Sequence, residues 1–334
     1  MTRSDAGVAD AELSVVAPVH NESENIGPLL QRLLPVLEHC APSFEVIFVD
    51  DGSTDDTLDV LRAAHEKDPR VRALSLSRNF GKEVAIAAGL DHARGAAAII
   101  MDADLQHPPE AIKTFVGLWR DGYKNVFGQR TDRGADSRLR RMLTQRFYRL
   151  FGSVGETSLP EGAGDFRLLD AKAVAALRTM REHARFSKGL YAWIGFKSIG
   201  VPFEVEARAH GSSKFSYLKL TNFALDGLMS FSTMPLKVWS YIGVATSVLA
   251  LALATFYLTR TLIFGVDVPG YASLIVSITF FAGIQLLSLG IIGEYIGRIF
   301  AEVKRRPLYL IEERIGIAPF LQDEQLPRPN RDRT

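Results

Sequence analysis

The chain has one cysteine, Cys40, in 334 residues, so it can form no intrachain disulfide and offers no cysteine-based metal site. It has no G-x-G-x-x-G run and no G-x-x-x-x-G-K-[ST] run, which removes the main support for a dinucleotide fold or a P-loop. Net charge is only +1, so the molecule as a whole is not a polyanion binder by charge alone. Residues 238–259 and 268–293 contain no Asp, Glu, Lys, Arg or His, and each run is long enough to cross a bilayer as a helix. The N-terminal stretch is not expected to act as a secretory signal. Met1 to Glu12 is small and polar, and Leu13 to Val19 is too short for a signal core and contains Pro18. The segment before the first charge-free run is therefore expected to stay in the cytoplasm. Lys237 before the first run, and Arg298, Lys304, Arg305 and Arg306 after the second, favour the inside, while Arg260 between the runs opposes it. Two spans returning both ends to the cytoplasm are the simplest topology. The competing reading is a pair of buried helices in a soluble domain.

What is present is an alternation. Residues 13–19 read as a strand. The polar turn His20 to Asn25 follows, with Asn21 or Ser23 as a cap, and leads into a helix through Leu37. Further strands are expected at 44–49, 71–76 and 96–101, and helices at 56–67 (Thr54 or Asp55 near its cap), 82–93 and 109–120. This pattern predicts an α/β fold with a mostly parallel sheet and helices on both faces. Ligands in such sheets bind outside the carboxyl ends of the strands, where His20, Asp50, Asp51, Arg78, Asp102 and Asp104 all fall.

Asp102-Ala103-Asp104 follows the apolar run 96–101. In extended backbone the two carboxylates share a face and can approach one ion or its bound phosphates. An all-oxygen pair suits Mg2+ or Mn2+ better than zinc, and such an ion neutralises a departing diphosphate. The bland alternative is a turn with two solvated carboxylates. Asp50 and Asp51, after the apolar run 46–49, can accept a uracil imide N–H and ribose hydroxyls, or one of them can cap the next helix. His107 is expected to cap the helix at Pro108-Pro109 rather than to bind a ligand. Residues 130–149 interleave seven arginines with apolar residues and read as a helix in the lipid headgroup layer. Nucleic acid is the rival partner and is disfavoured by the neighbouring spans. Residues 218–236 read as a second interfacial helix. Glu294 is expected at the membrane interface, with Gly290, Gly293 and Gly297 serving close helix packing. Residues 305–311 read as a charged anchor followed by a short strand, and the tail after Phe320 is polar and Pro-rich. The expected boundaries are 1–215 for the cytoplasmic catalytic domain, 216–236 for the interfacial helix, 237–300 for a two-helix membrane hairpin, and 301–334 for a cytoplasmic strand and tail.

Val16-Ala17-Pro18-Val19-His20-Asn21-Glu22, Asp50-Asp51-Gly52-Ser53, Arg78-Asn79-Phe80-Gly81-Lys82 and Asp102-Ala103-Asp104-Leu105-Gln106 resemble family 2 glycosyltransferases of the GT-A fold. The nearer resemblance is to polyprenyl-phosphate glycosyltransferases, including bactoprenol glucosyltransferases and dolichyl-phosphate mannose synthases. Gly164 to Leu169, Arg208 to Phe215 and the two C-terminal runs continue it, so that it covers residues 12–315. The resemblance implies an inverting transfer from a nucleotide-sugar donor, with UDP-glucose first and GDP-mannose or a modified sugar as alternatives. The acceptor would be polyprenyl phosphate at the cytoplasmic face of a bacterial inner membrane, in a multi-pass protein that feeds a surface glycan. It implies nucleotide-binding roles for Pro18, His20, Glu22, Asp50 and Asp51, and diphosphate and metal roles for Asp102 and Asp104. Gln106 would lie near the donor sugar, and Lys82 would stand with the donor-binding set. His20 departs from the Tyr of many relatives. Asp165 is the candidate base or acceptor-orienting group. Arg78, Arg208 and Lys214 are cationic contacts to phosphate, and Ser212 and Ser213 lie in a loop able to fold over one. The C-terminal end joins a neighbouring subunit in relatives, which suggests a homotetramer. A polysaccharide or glycolipid synthase is the rival activity. It would be expected to carry more spans and a Q-x-x-R-W motif, and neither is present. A nucleotide-sugar sensor without turnover is the non-enzymatic rival.

Overall fold

The computed structural model describes residues 11–130, 163–183, 185–203, 234–264 and 270–318. Strands β1 (Ala11–Val19), β2 (Phe44–Asp50), β3 (Val71–Leu76) and β4 (Gly95–Ile100) form a parallel set in the order β4-β1-β2-β3. Three helices make the crossovers: α1 (Ser23–Cys40), α2 (Thr57–Lys67) and α3 (Lys82–His92). A 3-10 turn at Pro109–Ala111 leads into α4 (Ile112–Arg120). Next come β5 (Asn125–Arg130), β6 (Ala163–Asp170), α5 (Ala171–Thr179), α6 (Ser187–Trp193) and β7 (Ser198–Phe203). β6 runs antiparallel to β4 and β5, and β7 parallel to β5. The result is an eight-stranded sheet, β7-β5-β6-β4-β1-β2-β3-β8, whose last member β8 (Ile311–Ile315) is antiparallel to β3.

The strands are apolar on both faces because both faces are covered. In β1, Leu13, Val15 and Ala17 pack with α1, α2 and α4, while Val16 faces α3 on the opposite side. In β2, Val46 and Phe48 take the first face and Ile47 and Val49 the second. α3 is rich in alanine because it lies close to the sheet: a Cβ on Gly89 would collide with Val16.

Two long helices follow, α7 (Met234–Phe264) and α8 (Tyr271–Val303). α7 contains the whole charge-free run 238–259. It starts at Met234, with Pro235 in its first turn. α8 begins and ends later than the run 268–293. Among the described residues, one stretch, Phe280–Val303, is long and apolar enough to cross a membrane. Its large apolar side chains, including Phe280, Leu286, Leu287 and Ile299, are exposed. That exposure counts against the reading of buried helices in a soluble domain.

The C-terminal strand lies slightly beyond the expected position, at Ile311–Ile315, and pairs antiparallel with β3. The basic segment 131–149, the stretch 216–233 and the tail after Phe320 lie outside the described residues.

Candidate functional site

The carboxyl ends of β1 to β4 and one end of β6 form a single hydrogen-bonded rim. After β1, Asn21 adopts φ 56°, and its side-chain oxygen accepts from Thr54 N at 2.8 Å while its backbone N donates to Ser53 Oγ at 2.9 Å. Ser23 Oγ donates to Asp55 at 2.9 Å. Neither Asn21 nor Ser23 caps α1, whose N-cap residue is Glu22; both side chains tie the first loop to the second. His20 Nδ1 lies 3.0 Å from the Asp51 carbonyl oxygen. Glu22 donates its backbone N–H to Thr57 Oγ1 at 3.0 Å. Pro18 is half-buried near the end of β1.

Asp50 and Asp51 are both buried. Asp50 accepts from Ser75 Oγ at 2.9 Å and from Ser53 N at 3.0 Å. Asp51 accepts from Phe80 N at 2.7 Å and Gly81 N at 2.8 Å, at the start of α3. Asp51 thereby fastens the second loop to the third, with its charge at the positive end of a helix. Gly52 completes that joint. Its φ is +64°, and a Cβ there would meet the Arg78 and Asn79 backbone at 2.5–2.9 Å. Each carboxylate keeps acceptor capacity beyond these two bonds. Arg78 is exposed, with its guanidinium over the Phe80 ring at 4.1 Å.

Asp102 and Asp104 lie just past β4, in a turn rather than in continued strand. The alternation nevertheless survives: Ala103 and Leu105 are buried, while Asp102, Asp104 and Gln106 are half-buried. Leu105 has φ 60°, a left-handed conformation that costs a leucine about 1–3 kcal/mol, and Gln106 N donates to Asp104 Oδ1 at 3.2 Å. His107 accepts the Asp102 N–H at Nδ1, 3.2 Å away, and stacks on Phe166 at 4.9 Å. Burial pushes the His107 imidazole below its ordinary value, so it is neutral and able to accept. His107 thus braces the acidic turn, a structural role as expected, but not as a helix cap.

A further joint is ionic. Lys82, at the start of α3, places Nζ 2.6 Å from Asp102 Oδ1, 2.9 Å from Asp102 Oδ2 and 2.9 Å from Asp165 Oδ2. Asp165 reaches this point because β6 pairs antiparallel with β4. Ile100 faces Arg167, and continuing that register by two residues sets Asp165 beside Asp102. Burial works against the Lys82 charge, but Asp165 and Asp102 outweigh it and hold the ammonium well above its usual value. Burial alone would raise Asp165; Lys82, Lys188 and Arg167 overcome it and hold the carboxyl well below the usual range. Around this pair lie groups that sequence reasoning did not assemble. Glu83 is pushed up by burial and by Asp165, and accepts from Ser187 N at 3.3 Å. The buried Arg167 lies over the Tyr191 ring at 3.7 Å and donates to Gly164 O at 2.6 Å. No local pattern marks Ser187, Lys188 or Tyr191 as neighbours of Asp165; the packing of α6 against β6 does so, while Glu83 arrives beside Lys82 on α3.

The structure thus brings Pro18, His20, Glu22, Asp50, Asp51, Arg78, Lys82, Asp102, Asp104, Gln106 and Asp165 to one edge. Arg208, Ser212, Ser213 and Lys214 lie outside the described residues. Among the described residues, no three His, Cys, Asp or Glu side chains are grouped to enclose a metal. The donor set at Asp102 and Asp104 is oxygen only. It fits a hard cation held jointly with phosphate and water oxygens, rather than a site built from protein alone.

Residues 14–178 match the family model described as Glycosyl transferase family 2. The chain is 48% identical over 306 residues to an uncharacterized glycosyltransferase of Synechocystis sp., covering 92% of this chain and 96% of that one. It is 42% identical over 301 residues to the putative glycosyltransferase CsbB of Bacillus subtilis, covering 90% and 91%. The SfII prophage-derived bactoprenol glucosyl transferase of Shigella flexneri is 42% identical over 303 residues, covering 90% and 98%.

Proposed function

Because the chain belongs to glycosyltransferase family 2, we propose that it moves glucose from UDP-glucose to the phosphate of a membrane polyprenol. The observation that carries this reading is the meeting of Asp51, Lys82, Asp102 and Asp165, from four separate chain segments, at one ligand-binding edge. Near-full-length similarity to a protein named for bactoprenol and glucose supports the acceptor and the sugar. α7 and α8 form the two-span membrane anchor, which keeps the edge within reach of a lipid headgroup.

The nucleotide lies across the first three loops, with Asp50 and Asp51 toward base and ribose and His20 beside the base. Asp102 and Asp104 would hold Mg2+ or Mn2+, whose charge, when bound, neutralises the departing diphosphate. A phosphate oxygen of the acceptor attacks the anomeric carbon as the bond from that carbon to the diphosphate oxygen breaks. The configuration inverts and a β-linked sugar phosphoryl-polyprenol results. A phosphate monoester with a second pKa of about 6 is already anionic at neutral pH and needs little help from a base. Asp165, ionised and paired with Lys82, orients rather than deprotonates.

The test is a panel of radiolabelled donors incubated with the full-length protein in membranes and undecaprenyl phosphate. The expected product is a lipid-linked monosaccharide from UDP-glucose. Labelled lipid from GDP-mannose alone would overturn the donor, polymer would overturn the acceptor, and binding without transfer would overturn turnover.

A further inference from the structure

Lys82 occupies an unusual place for a residue grouped with donor binding. Its Nζ sits against both oxygens of Asp102, at 2.6 and 2.9 Å, which is the bidentate face a cation would use. The same ammonium contacts Asp165 Oδ2, whose other oxygen, Oδ1, is buried with no hydrogen-bond partner among the described residues. Lysine suits an exchangeable counter-ion: its charge is a point on a flexible stem, without the fixed fork of arginine. The Lys82 side chain is about two-fifths exposed, so it is not sealed in the core.

We propose that Lys82 is a positioning residue that acts as a resident counter-ion for Asp102. It holds the carboxylate until a divalent cation arrives with the donor diphosphate, then yields that face and stays on Asp165. There its released N–H groups meet the acceptor phosphate. This inference rests on the assignment of Asp102 and Asp104 to metal and diphosphate. It makes donor loading a precondition for tight acceptor binding, so the two substrates bind in order.

The experiment measures Mn2+ binding by electron paramagnetic resonance to the full-length protein in detergent, with and without UDP. The parent is compared with Lys82→Met, Lys188→Met and Asp104→Asn. Without UDP, Lys82→Met is expected to bind Mn2+ roughly tenfold tighter than the parent, the scale of one charge-assisted hydrogen bond. Lys188→Met removes a nearby charge without touching Asp102 and is expected to shift Mn2+ binding far less. In turnover, Lys82→Met is expected to raise the KM for polyprenyl phosphate more than the KM for the donor. Unchanged Mn2+ affinity in Lys82→Met, or an equal gain in Lys188→Met, would overturn the counter-ion role while leaving the metal assignment intact. No UDP-dependent Mn2+ binding in the parent, and none lost in Asp104→Asn, would defeat the metal assignment and this inference with it. Should Lys82→Met not fold, Lys82→Gln keeps a hydrogen-bonding group without the charge and carries the same comparison.

Discussion

Asp104 and Asp165 carry the same charge in different company. Asp165 is held by Lys82 and stays ionised; Asp104 stands in the turn that Leu105 strains, with one oxygen on Gln106 N. On the proposed metal role, neutralising Asp104 would remove a ligand for an ion that acts on charge developing at the leaving group. Neutralising Asp165 loosens a positioning contact. Asp104→Asn is therefore expected to lower kcat by about 10²–10³-fold, the scale of lost transition-state electrostatics. Asp165→Asn is expected to lose less. Both are read as rates of lipid-linked sugar formation at saturating metal and donor. Equal activity of Asp104→Asn and the parent would end the metal role given to it. Gly52 belongs to the same scale. Gly52→Ala forces a Cβ against the Arg78–Asn79 backbone, and the joint held by Asp51 must open. The expected result is a raised donor KM with the sheet intact by circular dichroism.

At the scale of the element, Asp170 ends β6 and caps α5. It accepts from Lys172 N at 3.0 Å, Trp119 Nε1 at 2.9 Å and Lys124 Nζ at 2.9 Å. One buried carboxylate thus joins a strand, its following helix and α4. Asp170→Ala removes the cap and strands the indole N–H, a loss of about 2–3 kcal/mol measurable by chemical unfolding. Burial alone would raise this carboxyl, but Lys124, Trp119 and the Lys172 N–H outweigh it and lower it. The folded value is below the unfolded value of about 3.9, so the stabilisation is present in full above that pH. It is lost as pH falls through the folded value. In Asp170→Ala this acid-dependent contribution is expected to vanish, narrowing the gap between variant and parent below about pH 4. An Asp170→Ala gap that stays constant with acidification would contradict the assignment.

At the scale of the molecule, the segment after α8 fastens the sheet and its covering helices to the long helices. Glu302 accepts from His183 N at 2.8 Å, near the end of α8. Tyr309 donates to Asp91 at 2.8 Å, and Arg181 meets the same carboxylate at 2.6 Å. Arg62 grips Glu313 with two bonds at 3.0 and 2.6 Å. These surface pairs are worth little singly, so the attachment depends on β8 with its buried Ile315 and on the buried Ile317 just past it. Residues 304–310 span at most about 25 Å, which limits how far the sheet can move from the helix end. Ile315→Asp is expected to speed amide exchange in β3 and β8 while β1 and β4 stay protected. Acceleration in β1 as well would show β8 to be part of the global core rather than a strap.

The order of strands and helices through α4, the two-sided burial of the parallel strands and the set of polar residues at their carboxyl edge were written locally, whereas β5 to β7, α5 and α6 were not. Continuous apolar runs, acidic pairs after them and charge-free stretches each need only near neighbours in the chain to be read. The partnership of Asp165 with Lys82 and Asp102 was not local. It depends on β6 entering antiparallel beside β4, a pairing set by side-chain packing across 60-odd residues of sequence. The pairing of β8 with β3 of its own chain was likewise beyond pattern, because a short amphipathic strand carries no record of which edge will accept it. Even the acidic motif changed its backbone: sequence implied extended chain, and the segment turns instead, with the Asp102 N–H bonded to His107, whose ring stacks on Phe166. Residue type therefore decided which chemistry was on hand, and long-range packing decided which groups would meet.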